Sequence, residues 1–207
     1  LPKASTNQVA KEYLENRKLD PDKFYYADRF KQWTNSQKRT FDSIGRDDPR
    51  IIIPMYNEKK NLIGFQGRAL DKSPNKYITI MINEEAAKLY GLEPINTELP
   101  LCEVEGPFDS TFIDNSVALC GSDGNLGHLK ESDLIFVYDN EPRNREIVRR
   151  IEGCISRNEK VVIWPSNIVE KDINDMVLAG HDVQSVLKLN TYCGLEAKIK
   201  FNNWKKI

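Results

Sequence analysis

Six acidic side chains fall where apolar runs stop. Glu105 ends the run from Leu101, and Asp109 follows just past Gly106-Pro107. Asp139 and Glu141 end the run Leu134-Ile-Phe-Val-Tyr138. Asp172 and Asp175 stand beyond Val161-Val-Ile-Trp164, directly after Lys171. Clustered carboxylates offer hard oxygen ligands of the kind magnesium takes. In an open α/β sheet the carboxyl ends of the strands are where ligands bind. A single Asp at such a position is more often a helix cap than a ligand, and Asp172 alone reads that way. Five acids at three successive strand ends resist that explanation, because their mutual repulsion costs stability unless a cation is present.

The elements that must position these groups follow from pattern. Gly106 suits a tight turn and Pro107 the first position of a helix, so Glu105 and Asp109 flank one strand-to-helix corner. From there the pattern alternates: strand 101–105, helix 107–113, strands 116–120 and 133–138, helix 143–157, strand 160–164, and helices 173–179 and 182–190. Such alternation predicts a parallel sheet covered by helices. Upstream, Ser5 is placed to cap a helix running to about Lys18. Residues 50–56 and 62–70 read as a hairpin closed by Asn57–Asn61, with a third strand at 77–82 and an Asn83-capped helix over 84–90. Gly64 and Gly67 inside the second strand mark a bulge or a close approach. The aromatics Phe24, Tyr25, Tyr26, Phe30 and Trp33 are expected mainly as core, with a base-stacking platform as the minority reading. The polar stretch 92–100 places a boundary, giving an α+β lobe over 1–98, an α/β domain over 99–193, and a basic tail over 194–207 read as a final strand or a linker.

The 207 residues are 40% apolar and 29% charged, the balance of a globular chain with a real core. No run approaches the roughly 20 apolar residues of a membrane helix, and no leader is visible, so a soluble, membrane-free, cytoplasmic protein is expected. A chain opening on Leu rather than Met is expected to be part of a longer one. The four cysteines form no C-x-x-C pair and read as reduced, mostly buried thiols. The net charge of −1 hides an asymmetry: residues 1–98 carry 17 basic and 14 acidic side chains, and 99–207 carry 13 and 17. Either this is ordinary fluctuation or a basic lobe that holds phosphates adjoins an acidic one that holds cations. His128 and His181 lie in polar surroundings and are assigned to the surface. Gly121-Ser-Asp-Gly124 reads as a turn rather than a phosphate-cradling nest.

Together these residues carry a resemblance. Val104-Glu-Gly-Pro-Phe-Asp109 with Val117-Ala-Leu-Cys-Gly-Ser122 resembles the first half of a toprim domain. Asp139-Asn-Glu141 looks like its D-x-D motif, and Lys171-Asp172 like its last acidic position. Arg50-Ile-Ile-Ile-Pro-Met55, Ile63-Gly-Phe-Gln-Gly-Arg68, Lys76-Tyr77 and Leu89-Tyr-Gly-Leu92 are similar to the N-terminal half of bacterial-type primase catalytic cores. The run 138–144 with Val161-Val-Ile-Trp-Pro165 looks closest to primases of T-even-like phages.

The resemblance implies a toprim-type parallel sheet flanked by helices and preceded by a smaller α+β lobe. It implies Mg2+-dependent synthesis of short RNA primers on single-stranded DNA, with Mn2+ as a substitute ion. A 3′-hydroxyl would attack the α-phosphate of a ribonucleoside triphosphate and pyrophosphate would leave. By the family pattern Glu105, Asp109, Asp139, Glu141 and Asp172 are metal ligands, with Glu105 also the general base. Arg68, Lys76 and Lys88 would line a groove between lobes, with Arg50, Arg143 and Lys171 adding positive field. A replicative helicase and a zinc-binding module outside this segment are further implied partners, and the host cytoplasm the location if a phage encodes it. Glu141 departs from the usual Asp by one methylene. The alternatives are a toprim-type nuclease or topoisomerase-like domain, and a non-catalytic nucleic-acid-binding segment that lacks its zinc module.

Overall fold

The structure, a computed structural model, describes residues 1–121 and 126–207, apart from the side chain of His128. The Gly121–Gly124 turn therefore lies largely outside the described residues, as does the side-chain placement expected for His128. The chain forms two compact units. One comprises Leu1–Glu93 and the segment starting at Cys120, the other Pro94–Leu119 and Leu126–Ile207.

In the first unit, helix α1 (Gln8–Glu15) is capped by Asn7, whose side chain accepts the Ala10 N–H, while Ser5 falls in a preceding 3-10 turn. Strand β1 (Tyr25–Ala27) and helix α2 (Phe30–Gln37) follow, then β2 (Arg50–Tyr56), β3 (Leu62–Ala69) and β4 (Tyr77–Met81). These strands make an antiparallel sheet in the order β1-β2-β3-β4. The aromatic residues mainly fill its core: Phe30 meets Phe65 edge-on at 6.3 Å, and Trp33 lies 4.6 Å from Phe65. Gly67 is required by that packing, because a Cβ there would strike the Phe30 ring. A Cβ at Gly64 would sit 2.7 Å from the Ile80 carbonyl oxygen. The bulge expected near these glycines lies beside Gly64: Met55 pairs with Gly64 and Tyr56 with Leu62, leaving Ile63 unpaired between them.

The helix expected over 84–90 does not form. Asn83 caps only a turn, accepting the Glu85 N–H at 3.0 Å. The chain then extends into the short strand β5 (Leu89–Tyr90), with the Lys88 carbonyl taken by the Cys120 N–H at 2.9 Å. A single short helix is marginal on its own, and burial of Leu89 with an extended backbone outweighs its propensity.

The second unit is built on β6 (Leu101–Val104), β7 (Ser116–Leu119), β8 (Leu134–Val137) and β9 (Lys160–Val162), mutually parallel with β6 between β7 and β8. A short β10 (Thr191–Tyr192), which the pattern reading did not assign, runs antiparallel along β9. Helices α3 (Pro107–Ser110), α4 (Arg145–Ser156), α5 (Ile173–Ala179) and α6 (Val183–Leu189) fall at the predicted places, with α3 shorter than expected. Apolar residues of α4 (Ile147, Val148, Ile151 and Cys154) turn inward, as its period demands. This is the α/β architecture expected, a toprim-like parallel sheet with helices. Residues 194–204 correct the reading of the tail: they form helix α7 (Gly194–Trp204), neither strand nor linker, burying Ala197, Phe201 and Trp204 at helical spacing. No helix of the described residues is long and apolar enough to cross a membrane. Cys102, Cys120 and Cys154 are buried free thiols and Cys193 is an exposed one.

Candidate active site

Strand β6 delivers Glu105 to the sheet's carboxyl edge, and the turn at Gly106 starts α3, which carries Asp109. A Cβ at Gly106 would lie 2.8 Å from the Asp109 Oδ2, so a larger residue there would push that carboxylate aside. Strand β8 delivers Asp139, held where the buried Trp164 donates its indole N–H to the Tyr138 carbonyl at 2.8 Å. Asp172 caps α5, accepting the Asp175 N–H at 2.8 Å. Asp109 accepts the next orphan amide of that helix, Asn174 N–H, at 3.0 Å.

Glu105, Asp109, Asp139 and Asp172 line one niche of about 10 Å³, floored by Val104, Val137, Trp164 and Ile173. That volume admits about one water-sized occupant. Glu141 stands outside it at the rim. Lys171 lies 3.5 Å from Asp139 and 3.6 Å from Glu141. Asp175 is exposed, its backbone serving the Asp172 cap.

The electrostatics record the crowding. Burial, and then the Asp172 charge, push the Asp109 carboxyl up to about 7, against the pull of the Asn174 N–H. Burial and Asp139 raise Glu105 to about 7, while Arg150 opposes them from 3.2 Å. Asp139 is raised to about 6 by burial, with Lys171 opposing. Sequence reasoning missed Arg150, which reaches Glu105 from α4. It also missed Glu103, buried within β6 and raised by desolvation to about 7.

Among the described residues no three acids, histidines or thiols form a ready-made coordination set. Cations of the protein itself occupy the carboxylates: Arg150 on Glu105, and Lys171 on Asp139 and Glu141. The donor chemistry nevertheless fits a hard divalent cation. It is all carboxylate oxygen, and it carries excess buried negative charge, which the raised proton affinities register.

The basic residues divide. Arg50 corrects its expectation: only 2% exposed, its guanidinium donates to the Gly67 and Asn75 carbonyls at 3.0 and 2.9 Å and faces Asp48 and Ser73. An internal brace of this kind has no free face for a nucleic acid. Arg68 is 7% exposed, its guanidinium 4.6 Å from the Tyr77 ring centre and 5.8 Å from that of Tyr13. Its Nε has no hydrogen-bond partner among the described residues. Lys76 lies 5.8 Å over Tyr77. Lys88 lines a hollow of about 510 Å³ with Lys38, Arg39 and Thr79, a basic grouping the sequence did not disclose. Arg143 is exposed. His181, expected at the surface, is half-buried and 3.1 Å from Glu170.

Comparison with known proteins agrees with this architecture. The profile of the DNA primase catalytic core, N-terminal domain, matches residues 5–93. The DNA primase of Enterobacteria phage T4 is 33% identical across the whole chain. The chain is similar to DNA primase catalytic cores. The chain spans 63% of the length of the phage T4 relative. The zinc-binding and RNA polymerase domains of Aquifex aeolicus primase superpose with a TM-score of 0.61 at 23% identity, over 95% of this chain and 56% of that chain. A DnaG primase catalytic domain bound to single-stranded DNA gives 0.62 at 19%, over 86% and 71%. At these identities the likeness is one of fold. The phage T4 match agrees with the T-even character read at 138–144 and 161–165.

Proposed function

We propose that this chain is the catalytic core of a DNA primase and makes short RNA primers on single-stranded DNA by nucleotidyl transfer. The observation that carries the reading is the niche of four carboxylates at the strand ends of a toprim-like sheet, in a chain similar to DNA primases. Glu105, Asp109, Asp139 and Asp172 would hold Mg2+, with Glu141 entering from the rim. The ion when bound would neutralise phosphate charge and acidify the attacking 3′-hydroxyl. Glu105 would take the proton of that hydroxyl as general base, a role supported by its position among the niche carboxylates. Pyrophosphate leaves as the new phosphodiester forms.

Arg68 and Lys76 are assigned to template or triphosphate phosphates, and Lys88 to the same role within its basic hollow. Arg143 and Lys171 add positive field near the acids. The partners proposed are single-stranded DNA and ribonucleoside triphosphates. A single-stranded DNA complex is known for the DnaG catalytic domain of similar fold, and a zinc-binding domain accompanies the Aquifex protein. A zinc module and a helicase acting with this core, a domain division near 98/99 with helix α7 counted to the second domain, and a cytoplasmic location belong to the same proposal.

The test is primer synthesis on single-stranded DNA with Mg2+ and ribonucleotides, in the full-length protein that contains this core. Glu105→Ala and Asp139→Ala should abolish product while the melting profile stays cooperative. DNA nicking without primer product would instead assign the site to a cleaving enzyme.

A further inference from the structure

Asn140 lies between the two rim acids Asp139 and Glu141, and its backbone and side chain are fully engaged. Its backbone N–H donates to the Lys171 carbonyl at 2.6 Å. Its side-chain Nδ2 donates to the carbonyls of Ile168 and Glu170, both at 3.0 Å. Its Oδ1 accepts the indole N–H of Trp204 at 2.9 Å. The three contacts to 168–171 fasten that segment onto the loop after β8. The same segment delivers Lys171 and Asp172, so one amide sets the spacing of Asp139 and Glu141 against Lys171 and Asp172.

The indole fixes which way the amide faces. With Oδ1 turned to Trp204, the NH2 must face the two carbonyls. The reverse orientation would set oxygen against oxygen and nitrogen against an N–H. Trp204 is 8% exposed, on the inner face of α7. The Lys206 N–H adds a second tie from the same end of the chain, to the Pro142 carbonyl at 2.9 Å. We infer that Asn140 and Trp204 are positioning residues: through this clamp α7 sets the geometry of the acidic loops and thereby their capacity for a divalent cation. The inference rests on the proposed metal role of the carboxylates, but the clamp itself can be tested without metal.

The variants are Asn140→Asp, which replaces the amide donor by an oxygen facing two carbonyls, and Trp204→Phe, which keeps an aromatic ring but removes the N–H. In metal-free protein, hydrogen exchange at the Asn140 amide should accelerate at least about tenfold in Asn140→Asp, with a smaller rise in Trp204→Phe. Mn2+ titration followed by electron paramagnetic resonance should show about tenfold weaker binding in Asn140→Asp and several-fold in Trp204→Phe, the range found when an outer partner of a ligand is lost. In primer synthesis the Mn2+ concentration for half-activity should rise in step, while kcat at saturating Mn2+ stays near wild type. If Asn140→Asp loses cooperative melting, Trp204→Phe carries the test. Unchanged exchange and Mn2+ affinity in folded variants would overturn the clamp. Accelerated exchange in the variants, with no Mn2+ binding by the wild type, would uphold the clamp and remove the metal assignment instead.

Discussion

Replacing Asp109 by Asn should stabilise the metal-free protein while disabling it. The niche raises the Asp109 carboxyl from its ordinary 3.8 to about 7. At pH 8 the group is ionised in both folded and unfolded chains, so the folded state bears the cost of a charge it disfavours. Holding the proton that much more tightly corresponds to about 4 kcal/mol, at about 1.4 kcal/mol for each tenfold. The side chain keeps some solvent contact and its neighbours share the proton load, so about half of that, about 2 kcal/mol, is the working figure. The sign follows from the raised value. The cost is absent below about pH 4, grows as pH rises towards 7, and is complete above it. Asparagine keeps an oxygen for the Asn174 N–H, so the α5 contact survives. For a domain of this size the variant should melt about 4–8 °C higher at pH 8, with the gap closing towards pH 4. Trp164 and Trp204 both lie in the second unit, so their fluorescence contributes a signal from it during a thermal scan, beside that of Trp33 in the first. Added Mg2+ should raise the wild type towards or past the variant, which itself should gain little. A variant no more stable than wild type at pH 8, or a gap that does not change with pH, would refute the account of repelling buried charge.

Arg150→Gln removes the cation that lowers the Glu105 proton affinity, so the acid limb of metal binding should move to higher pH, read by Mn2+ titration across pH 5–9. Gly106→Ala brings a methyl against Asp109 Oδ2 and should cut primer synthesis at least about tenfold with little change in melting. Arg50→Met should destabilise the first unit by about 3 kcal/mol in urea titration, because Asp48 and two carbonyls lose their buried partner. Gly67→Ala must displace the Phe30 ring and should cost about 1–3 kcal/mol by the same measurement.

The strand-to-helix corner at 105–109 was legible because its signals are local: an apolar run, a glycine, a proline at the first helical turn. The parallel order of β6, β8 and β9 followed from alternation. What escaped the sequence was what depends on distant partners. Arg150 meets Glu105 across 45 residues, and nothing around it on α4 separates it from the neighbouring arginines. Arg50 looked like a cation beside a motif, yet carbonyls from β3 and Asn75 enclose it. The segment over 84–90 had helix-forming residues, but pairing of the Lys88 carbonyl with Cys120 decided the matter. Helix α7 is readable in principle, since Ala197, Phe201 and Trp204 recur at helical spacing, but the lysines between and after them give the tail the look of a basic linker. Asn140 gave no signal at all, since an asparagine in a loop is ordinary until its four partners are known.

The four niche carboxylates are held together by two different kinds of positive partner. Asp109 and Asp172 lean on the N-terminal amides of α5, which belong to the backbone and cannot leave without unwinding the helix. Glu105 and Asp139 lean on Arg150 and Lys171, whose side chains are 37% and 55% exposed. Exposed ion pairs are worth little and exchange readily with water. Glu105 also accepts the Asp139 backbone N–H, so among the four acids Asp139 depends most on an exchangeable side-chain cation. An incoming cation therefore competes with a lysine, an arginine and bound protons rather than with the fold. Such a site changes its charge partners at low cost while its scaffold stays where β6, β8 and α5 put it.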